Sequence, residues 1–162
     1  TPHVASIEAV AENAYHSNTA NVDVTAGENV AVIGVDGGQA YISSHASNTI
    51  NSINTANVNI TAEDGYVLTH AVGGVDSTEE GFNESEAWIY AEADEGGYII
   101  PPAVGLQEGS ESSNNASVMI IAKDAVDVDK EEAKEGYDDG MVMVVGVNGG
   151  RTGIASEAEG GI

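Results

Sequence analysis

Carboxylates dominate the chemistry open to this chain. The run Asp124-Ala-Val-Asp127-Val-Asp129-Lys-Glu131-Glu132 sets acids at alternate positions, and seven acids fall between Asp127 and Asp139. A hard cation that takes roughly six to eight oxygens suits such a run, so calcium is the implied cofactor and Asp127, Asp129 and Glu131 are the expected ligands. The spacing superficially resembles an EF-hand loop but departs from it at Glu132, where that loop needs Gly. The competing reading is a solvated acidic loop that holds no metal. Asp76, Glu79, Glu80, Glu84 and Glu86 make a second acidic cluster open to the same two readings.

Other chemistries find little support. There is no G-x-S-x-G, no P-loop, no H-E-x-x-H and no cysteine, so the common nucleophilic and zinc signatures are missing and the chain is not expected to be an enzyme. His3, His16, His45 and His70 fall in separate segments and read as surface histidines. Cleavage of acidic polysaccharides usually needs Arg or Lys to bind the uronate, and Arg151 is the only arginine. A formal charge of −23, from 27 acids against 4 bases, excludes nucleic acid and anionic membrane as partners, since both demand cationic side chains. Neither an apolar run of about 18 residues nor a basic start with an apolar stretch is present, so no membrane insertion is expected. Charge is also uneven: residues 1–74 hold 7 acids and no Lys or Arg, whereas residues 75–162 hold 20 acids and all 4 bases.

These groups must be positioned by a repeat. Alternating segments recur around Ile7, Ile42, Ile89 and Ile154, around Val22, Val58 and Val118, and before the glycine pairs Gly37-Gly38, Gly73-Gly74 and Gly149-Gly150. The first period is 35 or 36 residues, as Ile7 to Ile42 and Val22 to Val58 show. Alternation of apolar and polar residues marks half-buried strands, and a fixed period marks stacked units. With one Phe and one Trp, the core must be built of Val, Ile and Ala. The pattern predicts a single all-β repeat domain over 1–162, a parallel β-helix of three coils at roughly 4–38, 39–74 and 87–150, with a final strand at 152–159. An antiparallel β-sandwich or a jelly roll is the alternative. On the second coil Ala40, Ile42, Ser44 and Ala46, then Ala56, Val58, Ile60 and Ala62, then Tyr66 and Leu68 are expected to face inward. Residues 75–86, 95–112 and 127–139 read as insertions on the third coil.

Two surfaces follow from that arrangement. If Ile42 and Ile89 face inward, Tyr41, Trp88 and Tyr90 face outward on neighbouring coils, with Tyr41 beside Trp88, and form a contact surface for a partner or a glycan. The third coil is apolar on both sides, with Met119 and Ile121 opposite Val118 and Ile120, and Met141 and Met143 alternating with Val142 and Val144. Strands of that kind must be covered. Met119, Ile121, Met141 and Met143 are therefore expected self-association residues. Ice binding is disfavoured, because the column of Thr25 and Thr61 is broken by Ile121.

The segments ASIEAVAE, ANVDVTAGENVAV, AYISSHAS and ANVNITAEDGYVL, covering nearly all of residues 4–74, resemble the haemagglutinin-type β-helix repeats of secreted microbial adhesins and surface-fibre proteins. The coil here is longer, more acidic and more elaborated in its third turn. What the resemblance implies is an extracellular or cell-surface structural protein or adhesin segment, non-enzymatic, whose partner is itself, in a homo-oligomer or an end-to-end filament. A calcium-assisted glycan-binding module is the alternative function.

Overall fold

The computed structural model describes residues 4–12, 17–35, 37–48, 53–73, 85–95, 113–123, 140–147 and 150–159. They form ten strands and, among the described residues, no helix: β1 Val4–Glu12, β2 Ser17–Ala26, β3 Val30–Val35, β4 Gln39–Asn48, β5 Ile53–Ala62, β6 Val67–Val72, β7 Glu86–Glu95, β8 Ser113–Ala122, β9 Val142–Val147 and β10 Arg151–Glu159. Every pairing is parallel. Sheet 1 has the order β1-β4-β7-β10, sheet 2 β2-β5-β8 and sheet 3 β3-β6-β9. The chain thus visits the three sheets in rotation and returns to each one strand further along, a solenoid-like all-β arrangement. Among the described residues no strands pair antiparallel, as the sandwich or jelly-roll alternative would require.

Register follows from the repeat. Ile7 lies opposite Ile42, Ile42 opposite Ile89, and Ile89 opposite Ile154. Val22, Val58 and Val118 make the matching ladder of sheet 2. Because side chains alternate across a strand, one residue in two on each sheet enters a shared core, lined by Val22, Val58 and Ile60 from sheet 2, Ile42 and Ile89 from sheet 1, and Val32 and Val67 from sheet 3. Alanines at Ala46, Ala56, Ala87 and Ala93 fill the spaces where the sheets converge. Full burial of each large aliphatic contributes about 1.5–3 kcal/mol. A core this thin is why one Phe and one Trp suffice.

Sheet 3 departs from the expected phase. Val30 pairs with Val67, not with Tyr66, a step of 37 residues, so Val67, Thr69 and Ala71 face the core and Leu68, itself buried, lies on the opposite side of the strand. The cause is the corner: three residues separate β2 from β3, but four separate β5 from β6. A one-residue shift moves every side chain of a strand to the opposite face. Asn29 accommodates the difference, its Oδ1 accepting from the Tyr66 backbone N–H at 2.9 Å, while the Val30 N–H donates to the Tyr66 carbonyl at 3.0 Å. The corner from sheet 3 to sheet 1 turns at Gly37, whose φ of 78° is open to glycine and costly for other residues. There the Gly38 N–H donates to the Val35 carbonyl at 2.8 Å, and the buried Ser85 hydroxyl accepts from the Gly37 N–H at 2.9 Å.

Candidate functional site

The outer face of sheet 1 carries a cleft lined by aromatic and acidic side chains. Strands β4, β7 and β10 place Tyr41, Trp88 and Gly153 in one cross-strand row, Ser43, Tyr90 and Ala155 in the next, and His45, Glu92 and Glu157 in a third. Tyr41, Glu86, Trp88, Tyr90, Glu92 and Glu157 line an open cleft of about 340 Å³. Alternation makes this unavoidable: with Ile42 and Ile89 turned into the core, their neighbours in sequence must point out.

Each ring has its own support. Trp88 is in register with Tyr41, as the pattern predicts, but its six-membered ring lies over Gly153 of the next strand, where even a Cβ would come within 2.4 Å of it. Glycine at 153 therefore gives the indole a flat seat. The ring that Tyr41 meets is Tyr90, edge to face, with centroids 6.4 Å apart and planes at 89°. The Tyr41 hydroxyl donates to Glu86 Oε2 at 2.5 Å, and the same carboxylate accepts from the Gln39 side-chain amide at 3.1 Å. The Arg151 guanidinium stands 3.7 Å from the other oxygen of Glu86. Burial, then the hydrogen bond to Glu86 and its charge, then Tyr90, together push the Tyr41 hydroxyl well above the usual tyrosine range.

Negative charge closes the other side. Glu92 and Glu157 are cross-strand neighbours, a like-charge pairing that costs stability. His45 stands 3.3 Å from Glu92 and 4.0 Å from Glu12. Tyr41, Trp88 and Tyr90, which alternation singles out, do come together. Alternation alone does not single out Glu92 and Glu157, and the sequence places Glu86 in an acidic loop cluster. The signal that would have found them is position: Glu92 stands three residues from Ile89, and Glu157 three from Ile154, on the outward phase in both cases.

The expected self-association residues lie apart. Met119 and Ile121 are exposed on the outer face of sheet 2, in register with Asn59 and Thr61. Met143 is half-buried on the outer face of sheet 3, and Met141 immediately precedes β9. A second apolar surface was missed. Two of the core ladders are uncovered at an end strand: Ile7 on β1 is 52% exposed, and Val142 and Val144 on β9 are 45% and 48% exposed, whereas Val22 on β2 and Val30 and Val32 on β3 stay buried. The expected calcium ligands Asp127, Asp129 and Glu131 lie outside the described residues, as does His16.

A buried amide ladder was also missed. Asn18, Asn54 and Asn114 are in register, and the Asn18 Nδ2 donates to Asn54 Oδ1 while the Asn54 Nδ2 donates to Asn114 Oδ1, both at 2.9 Å. The Asn54 Nδ2 also donates to the Asp94 carbonyl at 3.1 Å, tying sheet 2 to sheet 1. Its signal was present, since each of these asparagines stands two residues before the alanine that begins its ladder, at Ala20, Ala56 and Ala116. Comparison with family models, with curated proteins and with solved structures finds no match for the chain.

Proposed function

We propose that the chain is a parallel β-helix of three coils with a fourth strand in sheet 1, a non-enzymatic structural unit that associates end to end at a cell surface or outside the cell. The observation that carries this reading is the uncovered core at both ends: Ile7 at one, Val142 and Val144 at the other, each on the outermost described strand of its sheet. Outermost strands invite further pairing along their backbone edge, and here the apolar cross-section adds an incentive to cover it. Because all strands run parallel, the two ends differ, so a second copy that continues the same pairing adds head to tail. Such a contact is heterologous and need not close. The resemblance of residues 4–74 to surface-fibre repeats points the same way.

The seam has a constraint. Sheet 1 holds four strands and sheets 2 and 3 hold three. A neighbour that seats its β2 and β3 against β8 and β9 therefore needs for its own β1 the place that β10 occupies, and one of those two strands must yield. Charge opposes assembly as well, since copies at a formal −23 repel until salt screens them.

Light scattering at rising protein concentration, in low and in high sodium chloride, tests the reading. The expected result is a mass that grows with concentration, more steeply in high salt, and less for the end variant Val144→Asp. A chain shortened after Gly150 is expected to assemble more readily, because the contested place is vacant. A strict monomer under all these conditions overturns the proposal.

A further inference from the structure

We infer that the cleft on the outer face of sheet 1 binds an organic cation, a compact alkylammonium such as a lysine-type or methylated amine, held against Trp88 and Tyr90 by the carboxylates of Glu92 and Glu157. This site is distinct from the core positions on which assembly rests, because it lies on the outer face of β4, β7 and β10, although β10 is also the strand whose place a neighbour's β1 would contest.

Four features lead to that ligand. The first is size: about 340 Å³ is at the small end of ligand-binding clefts, enough for a head group of a few heavy atoms and not for an extended chain. The second is the ring set. Trp88 packs its six-membered ring against Gly153 and lines the cleft, and Tyr41 stands edge to face with Tyr90 beside it. Ring faces carry negative potential and attract cations within about 6 Å, tryptophan most strongly. The third is the facing pair of Glu92 and Glu157, set next to each other on neighbouring strands. A cation placed between them removes a repulsion that the empty site must bear, whereas a neutral hexose would leave it in place. The fourth is a division of labour among the acids. Glu86 is engaged by the Tyr41 hydroxyl, the Gln39 amide and Arg151, so it fixes the ring wall, while Glu157 and Glu92, the latter also 3.3 Å from His45, form the charged side.

A metal ion is the poorer occupant. Calcium seeks roughly six to eight oxygens, and three of the eight lining residues, Tyr41, Trp88 and Tyr90, offer it chiefly ring carbon. An alkylammonium uses both sides, its methylene or methyl groups on the rings and its charge on the carboxylates.

Trp88 is the single tryptophan of the chain, so its fluorescence reports this cleft directly. The experiment titrates the full chain, dilute enough to be unassembled, with choline and with n-butylammonium. Matched titrations use 3,3-dimethyl-1-butanol as the uncharged shape of choline, glucose as a neutral hexose, and calcium chloride. A saturable change with the ammonium ions is expected, with no saturation by the alcohol or by glucose. Glu157→Gln, at an exposed position, should weaken ammonium binding roughly tenfold and leave the fold intact. Raising sodium chloride should weaken it further. Equal binding of the uncharged alcohol, saturation by glucose or by calcium instead of the ammonium ions, no saturable response at all, or undiminished ammonium affinity in Glu157→Gln would each overturn the proposal. Failure here leaves the assembly reading untouched, and a monomeric chain that binds choline would separate the two in the other direction.

Discussion

The same ladder has two fates in this molecule. Ile42 and Ile89, in the middle of sheet 1, are 4% and 0% exposed, while Ile7, in register with them on β1, is 52% exposed. On sheet 3 Val67 is fully buried, but Val142, its partner on β9, is 45% exposed. The ladder residues are identical, Ile at 7, 42 and 89 and Val at 67 and 142, and the pairing is parallel throughout. What differs is place along the stack: β1 and β9 each have a neighbour on one side only, although Val22 on β2 and Val32 on β3, end strands too, are 5% and 4% exposed. Burial here is a property of place in the stack, which is why repeat proteins draw stability from interfaces between units more than from any unit alone. An uncovered end is therefore a designed vacancy or a contact surface, and substitutions in matched pairs distinguish the two.

The largest contrast is expected between Ile89→Ala and Ile7→Ala. Removing the fully buried side chain leaves a cavity and should cost about 2–5 kcal/mol. At the half-exposed position the loss should stay below about 1 kcal/mol. Urea unfolding of both variants in dilute solution measures the gap. If the chain assembles end to end, Ile7 becomes buried in the assembly, and the gap should narrow at high protein concentration. A gap that is constant over concentration means that the end stays bare.

Next comes the amide ladder. Asn54 stands in its middle, fully buried, with bonds to Asn18, Asn114 and the Asp94 carbonyl. Asn54→Ala deprives all three of that partner and should cost about 2–3 kcal/mol, since a buried polar group left without a partner bears the full desolvation penalty. Asn18→Ala breaks one ladder bond and should cost less. On the outer face of the same sheet, Asn57 receives the Ser117 hydroxyl at 2.6 Å and donates to Asn21 at 2.9 Å, in reach of water. Asn57→Ala should cost no more than about 0.5 kcal/mol, because water replaces what is lost. Equal losses at Asn54 and Asn57 would contradict the placement of the ladder in the core.

A smaller effect separates the end strand β10 from the strands it covers. Gly153→Ala puts a methyl group where the Trp88 ring lies. The ring can swing outward, so stability should fall by less than about 1 kcal/mol, while tryptophan emission shifts toward that of a solvated indole. Unchanged emission would mean that the indole does not rest on β10.

How far the sequence alone leads depends on what each feature needs. The ladders of sheets 1 and 2 were legible from alternation and period, because Ile7, Ile42 and Ile89, or Val22 and Val58, sit at matching offsets from like residues. The phase of β6 was not legible, because it turns on one added corner residue and on the Asn29 side chain, and alternation at Tyr66 to Val72 is weak enough to fit either phase. That the rings at 41, 88 and 90 share a surface was legible. Which ring touches which was not, since it depends on rotamers and on the space above Gly153. The carboxylate side of the cleft went unseen for a different reason: in a chain with 27 acids no single one stands out until the strands are laid in register.

The smallest expected effect lies on the outer face of the two middle strands and concerns one proton. Tyr41 on β4 donates to Glu86 on β7, and burial together with that carboxylate raises its ionisation well above the ordinary value of 10.0. At pH below 10 the hydroxyl keeps its proton in the folded and in the unfolded chain, and the contribution to stability is complete. As pH rises past 10 the unfolded chain releases this proton while the folded chain still holds it, so the contribution is lost progressively. Tyr41→Phe cannot release a proton in either state. The variant should be the less stable of the two near neutrality, for want of the bond to Glu86, and its deficit should shrink between pH 9 and pH 11. Chemical unfolding of both chains across that interval is the measurement, and taking the difference cancels the five other tyrosines. A deficit that stays level to pH 11 would mean that Tyr41 ionises in the folded chain as it does in the unfolded one. The Glu86 contact would then be a surface pairing with no hold on the ring, and the ring wall of the cleft would lose its anchor.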